Sequence, residues 1–214
     1  MLTLYYTPTS CATASHIALE ESGIAYEAIR VKMHKPEEHQ RYKDQVNPLG
    51  TVPALLTDAG LLTENLAIMS YVACLAPARQ LLPESPWALG QCLAFMGWLA
   101  SSVQIARRQF RKPAYFADDE AVYPVLERVG AARFRDCVAR IDQRFADTGP
   151  WVAGDHYSVA DGYALVIYHW AVLDGLDMDQ FPGFTAHKQR LLQRPAVQTV
   201  LQRERCILLD TGSV

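Results

Sequence analysis

Residues 2–23, LTLYYTPTSCATASHIALEESG, carry the reading that decides the architecture. Leu2–Tyr6 is β-prone and stops at Thr7-Pro8, after which the chain takes up helical spacing and closes on Gly23, a residue suited to the left-handed end of a helix. This is a strand, a turn and a helix. Outward from it, residues 25–31 (AYEAIRV) return to strand character and residues 35–45 (KPEEHQRYKDQ) predict a short polar helix. Residues 52–58 (VPALLTD) and 60–63 (GLLT) predict a hairpin turning at Asp58–Gly60, followed by a helix from Glu64 to about Ala76. The resulting order, βαβαββα, is that of an α/β thioredoxin-like N-terminal domain, a small mixed sheet with helices on both faces.

Pro77, Pro83 and Pro86 crowd a stretch without periodicity. We therefore place a thioredoxin-like domain at 1–77, an exposed linker at 78–86 between independently packed units, and an all-α C-terminal helical bundle at 87–214. Beyond the prolines the strand signals vanish. Trp87–Arg111 predicts one long helix, and Val122, Leu126, Val129, Ala132, Cys137, Ile141 and Phe145 predict the buried stripe of another. Ser158 and Asp161 have capping-box spacing, the hydroxyl serving the third helical amide and the carboxylate reaching back to the cap amide. The helix they open runs into residues 164–173 (ALVIYHWAVL), apolar on every side and so expected at the centre of the second domain. Gly175 ends it, and residues 182–195 and 196–204 supply two more helical segments.

Composition narrows the function classes. The chain has 214 residues, half hydrophobic and a fifth charged, with a formal net charge of -3, which argues against a nucleic-acid partner. The five cysteines (Cys11, Cys74, Cys92, Cys137, Cys206) form no CxxC pair, so neither a disulfide framework nor a metal site is indicated. The N-terminus lacks the pattern of a secretion signal, and no uninterrupted apolar run approaches the roughly 18 residues that cross a bilayer. A cytoplasmic protein with no membrane association and a small organic partner is expected.

Three features bear chemistry. Cys11 stands at the first turn of a predicted helix, where unpaired amides and the helix dipole favour an anion and lower a thiol pKa; alternatively it is a small buried hydrophobe. In residues 47–53 (NPLGTVP), Pro53 opens a strand after an irregular loop, which invites a cis Val52–Pro53 bond with Val52's backbone free to pair with an extended peptide; an ordinary trans proline is the alternative. Thr63-Glu64-Asn65 opens the third helix, where a ligand carboxylate finds free amides and Glu64 takes an amine, or where an acidic first turn simply suits the helix.

These stretches, YYTPTSCATASHIAL (5–19), NPLGTVPALL (47–56) and LLTENLAI (61–68), together with SVADGYAL (158–165), closely resemble the cytosolic glutathione transferase family, especially its bacterial beta-like members. The resemblance implies glutathione as co-substrate with no other cofactor, a small hydrophobic or oxygen-rich electrophile as second substrate, and a homodimer. It places Cys11 beside the glutathione sulfur, Val52 on the cysteinyl backbone and Pro53 as the family's cis-proline. Glu64 and Asn65 fall on the pair that anchors the γ-glutamyl end, and Lys35 in the loop that often contacts the glycine carboxylate. Ser158 and Asp161 match a buried structural capping box. Ser10 stands where serine-type relatives carry their activating hydroxyl, so Cys11 and Ser10 are both catalytic candidates.

One departure concerns the long helix, where a histidine of beta-like relatives is replaced by Gln104, which donates a hydrogen bond but carries no proton at neutral pH. Gln104, Arg108 and Arg111 share one helix face, with Arg107 and Lys112 beside them. That face is either an acceptor pocket for anionic or oxygen-rich electrophiles or a set of charges offsetting a helix end. Conjugation is the leading activity. Disulfide exchange or peroxidase chemistry through Cys11, and non-catalytic glutathione or ligand binding, are its alternatives.

Overall fold

The β-branched and aromatic residues of Leu2–Tyr6 form strand β1, central in a four-stranded sheet of a computed structural model that describes residues 1–209. The elements follow the expected order: β1, α1 (Ala12–Ser22), β2 (Tyr26–Arg30), α2 (Pro36–Gln45), β3 (Ala54–Thr57), β4 (Gly60–Thr63) and α3 (Asn65–Leu75). Strand order is β2-β1-β3-β4, with β1 and β2 parallel and the hairpin strands antiparallel. Gly23 ends α1 at φ 71°, a conformation that glycine adopts without steric cost. Beyond α3 all regular structure among the described residues is helical: α4 (Pro86–Trp98), α5 (Gln104–Arg111), α6 (Tyr123–Thr148), α7 (Val159–Leu173), α8 (Pro182–Leu191) and α9 (Pro195–Glu204), with short 3₁₀ turns.

Three expectations require correction. The connector is docked rather than exposed at Leu81, which is 3% accessible and accepts the Val159 N–H through its carbonyl at 2.9 Å. One hydrophobic core runs from Leu4 and Ile17 through Met96 to Phe184, so the two halves are not packed independently. The buried stripe of α6 is Gly130, Phe134, Val138, Ile141 and Phe145, whereas Ala132 is exposed. Gly130 selects that phase, because a Cβ there would meet the Phe110 amide nitrogen at 2.8 Å. The expected long helix is present: α4 and α5 are joined through a π turn at Leu99–Val103 into one 26-residue rod, and its best 18-residue window has a mean hydropathy of 1.2. By length and composition alone this helix matches a membrane span, since its serines and glutamines interrupt the apolar run without ending the helix. Cys92, Phe95, Met96, Leu99 and Val103 turn into the core, and Trp87 stands 76% accessible.

Helix α7 is buried from Val159 to Ala171, as its all-round apolar pattern requires. Its start is a full capping box. Asp161 accepts from Ser158 N–H at 2.8 Å, Ser158 Oγ at 3.0 Å, Val152 N–H at 2.8 Å and His187 Nε2 at 2.9 Å, all inside the core. Replacing it strands several buried donors at once. Asp161→Ala is expected to cost roughly 3–5 kcal/mol in urea unfolding; a loss below about 1 kcal/mol would contradict this role.

His169, 4% accessible on the same helix, is held down to about 4 by burial first and by the Arg107 charge second. The folded imidazole therefore resists protonation that the unfolded chain accepts below about pH 6.5, so this contribution is intact above that pH and declines toward pH 4. Between pH 7 and pH 5 it removes about 2 kcal/mol. Urea titrations of the wild type and His169→Gln should differ by that pH slope, and parallel slopes would refute it.

Candidate active site

The loop Thr7–Cys11 between β1 and α1 is held from both halves of the molecule. Thr9 sits at φ 58°, a conformation that a non-glycine residue keeps only when its surroundings enforce it. The enforcement is visible. The Thr9 N–H donates to Glu204 Oε2 at 2.7 Å, and the Thr9 carbonyl accepts from Trp170 Nε1 at 3.2 Å. Glu204 also accepts from Thr13 Oγ1 at 2.6 Å and pairs with His16 Nδ1 at 2.8 Å, both within α1 and buried.

Cys11 caps α1 in helical geometry, yet the first amides of that helix are already taken. Ser10 Oγ accepts from Ala12 N–H at 3.2 Å, the Ser10 carbonyl from Thr13 N–H, and the Cys11 carbonyl from Ala14 N–H. The turn thus takes the Ala12, Thr13 and Ala14 amides and leaves the Cys11 amide as the backbone donor beside its own sulfur. Burial pushes the Cys11 thiol above its ordinary range, and the Gln104 amide, the Arg108 charge and the Cys11 backbone amide recover only part of that shift, with Glu64 acting against them. The expectation of a lowered thiol pKa is corrected on this ground. Its Sγ donates to the Val52 carbonyl at 3.4 Å.

Ser10 is committed to the turn: its hydroxyl donates to the Thr7 carbonyl at 2.7 Å while accepting from Ala12. In this arrangement it offers no proton to the cleft. Val52 lies opposite Cys11, the Val52–Pro53 bond is cis, and the Val52 N–H has no partner among the described residues. Glu64 is exposed at φ 69°, a second enforced left-handed residue at the same edge. Asn65 turns inward instead. Its Nδ2 donates to the Cys11 carbonyl at 2.9 Å and its Oδ1 accepts from Ser15 Oγ at 2.7 Å, so its side chain braces the loop from beneath. Lys35 is exposed at the start of α2 and pairs with Glu38 at 3.3 Å.

The helical half supplies the other wall. Pro8, Ser10, Cys11, Gln104, Arg108 and Trp170 are among the residues around a cleft of about 290 Å³, whose rim carries Arg107, Arg111 and Lys112. Tyr163 O–H donates to Gln104 Oε1 at 3.1 Å, which turns the Gln104 amide N–H₂ toward the Cys11 sulfur. Arg107 forms a two-point pair with Asp174 at 2.6 and 3.0 Å and stacks 4.7 Å over Trp170. A larger groove of about 660 Å³ lies on the far side, between α1 and β2. The smaller cleft joins the two halves and holds the Cys11 thiol, which makes it the candidate site.

Sequence reasoning missed Glu204, Trp170, Tyr163 and Asp174. Their local signals are those of ordinary helix residues, and only the burial of a carboxylate or a phenol marks them.

A family model described as glutathione S-transferase, N-terminal domain, matches residues 1–74. Glutathione S-transferase GstA of Escherichia coli O157:H7 is 32% identical over 204 residues, which cover 94% of this chain and 98% of that protein. Among solved structures, a glutathione transferase homologue from Sulfitobacter with bound glutathione superimposes at TM-score 0.86 with 31% identity, covering 95% of this chain and 98% of the other. A sphingomonad glutathione S-transferase complexed with glutathione gives 0.82 and 33%, over 95% and 98% of the two chains. With that identity sustained over nearly the whole chain, on a fold whose loop and cleft are those described above, the protein belongs to the bacterial cytosolic glutathione transferase family.

Proposed function

We propose that the protein conjugates the glutathione thiolate to a small electrophile held in the cleft. The tripeptide lies along Val52, whose unpaired N–H and turned carbonyl suit an added strand, with its γ-glutamyl end at Glu64 and the amino end of α3 and its glycine end toward Lys35. Its sulfur then faces Cys11. The sulfur attacks the electrophilic carbon, a C–S bond forms, and the leaving group departs with its electron pair while the glutathione thiol proton passes to solvent. No cofactor enters this scheme.

The observation that carries this reading is the placement of the Cys11 Sγ, 3.4 Å from the Val52 carbonyl at the cis Val52–Pro53 edge, where a tripeptide added along Val52 brings its own sulfur. A partly buried neutral thiol, released from the Val52 carbonyl when the tripeptide's amide takes that acceptor, donates to a neighbouring thiolate with the Gln104 amide beside it and is a poor nucleophile itself. This favours conjugation over disulfide exchange through Cys11. Ser10 and Asn65 act as positioning residues, one closing the turn and the other bracing the Cys11 carbonyl. The exposed apolar residues Trp87, Leu49 and Leu75, at 76%, 70% and 46% accessibility, suit the burial expected of a homodimer, and the family resemblance points to a cytoplasmic setting.

Conjugation of chlorodinitrobenzene and reduction of a mixed disulfide, each measured for wild type, Cys11→Ala and Ser10→Ala, test this. Cys11→Ala should lower conjugation about tenfold and move the alkaline rise of its pH profile upward, because one donor to the thiolate is lost. Full activity of Cys11→Ala in both assays would remove the cysteine from the mechanism. Tight tripeptide binding without turnover would favour a binding protein.

A further inference from the structure

The four cations on the rim of the cleft are not equivalent. Asp174, with a side chain 1% accessible, holds Arg107 at 2.6 Å and Arg111 at 3.5 Å. Those two are explained by the fold: they neutralise a buried carboxylate at the end of α7 and fix Trp170 over the Thr9 loop. Arg108 and Lys112 pair with no carboxylate among the described residues. Both stack against the Tyr115 ring, at 5.8 and 5.7 Å, and that ring is itself 71% accessible. Four cations stand against the carboxylates of Asp174 and Glu64, an excess of two positive charges around a small cleft, on a chain whose overall charge is -3.

A helix end needs no such excess. The carboxyl terminus of α5 is equivalent to about half a negative charge, and a single cation in its last turn satisfies it. Arg108 also reaches the chemistry, since its charge acts on the Cys11 sulfur. An open aromatic ring flanked by two cations that line the same cleft as Cys11 is a surface for a flat, negatively charged molecule.

We infer that the acceptor half of the cleft is an anion subsite for an electrophile bearing a carboxylate on an aromatic frame, with Arg108 as its main contact and Tyr115 and Lys112 as its outer wall. This assignment rests on the transferase reading and adds the substrate class. Arg108 binds the carboxylate as a planar fork, Lys112 adds a point charge at the mouth, and the arene lies against Tyr115.

The test is a calorimetric titration of the full chain, with and without S-methylglutathione, using a chloronitrobenzoate and its methyl ester. The unreactive tripeptide allows binding to be read without turnover. The acid should bind about tenfold more tightly than the ester at low salt, as one charge-assisted contact provides. That advantage should shrink at about 0.5 M salt. Arg108→Met should lower the acid-to-ester ratio about tenfold, and Arg108→Lys should restore part of it, with circular dichroism confirming that each variant is folded. Equal binding of acid and ester by the wild type, or an equal loss of both in Arg108→Met, would overturn the inference. Failure of S-methylglutathione to bind would count against the transferase reading alone, because the acid-to-ester comparison is still decided on the tripeptide-free protein.

Discussion

The carboxylate of Glu204 organises the site without touching the cleft. From the last turn of α9 it takes the Thr9 amide, the Thr13 hydroxyl and the His16 imidazole, and so ties the carboxyl end of the helical half to the first loop of the α/β half. A buried carboxylate is costly unless hydrogen bonds surround it, and here three donors converge on its two oxygens. The left-handed Thr9 follows from that arrangement. With the loop pinned between Glu204 and Trp170, the Cys11 sulfur has one position, at the junction of the two halves.

That position explains the character of the thiol. The start of a helix ordinarily welcomes an anion, but Ser10 takes the Ala12 and Thr13 amides in closing the turn, and burial of the sulfur outweighs the one backbone donor left to it, favouring the neutral form. Gln104 reinforces this. With its oxygen held by Tyr163, its N–H₂ group is the part left to act on the sulfur. The π turn at Leu99–Val103 ends directly before Gln104, where it sets the phase of α5 and of the arginines that follow.

Most of the fold was legible in the residues, and the reasons are local. Thr7-Pro8 stops a strand, Gly23 ends a helix, and Ser158 with Asp161 makes a capping box that the structure reproduces bond for bond. The cleft was legible in its members but not in their roles. Glu204 lies 195 residues from Thr9 and reads in sequence as one more surface carboxylate. The direction of the Cys11 shift depends on how many donors the turn leaves unused, which spacing does not reveal. Ile141 and Phe145 of the α6 stripe are buried as their spacing predicts, but its earlier part departs because Gly130 carries no hydrophobic signal; its importance is the backbone contact that its missing side chain permits.

Whether Cys11 is a thiol or a thiolate in the free protein at neutral pH decides its role beside the glutathione sulfur. Alkylation by iodoacetamide across a pH series, quantified by mass spectrometry on the peptide containing Cys11, measures this directly and separates it from the exposed Cys74. Half-reaction above about pH 8.5, the value of an ordinary cysteine, is the predicted outcome. Half-reaction well below that value would show a helix-stabilised thiolate and contradict the account.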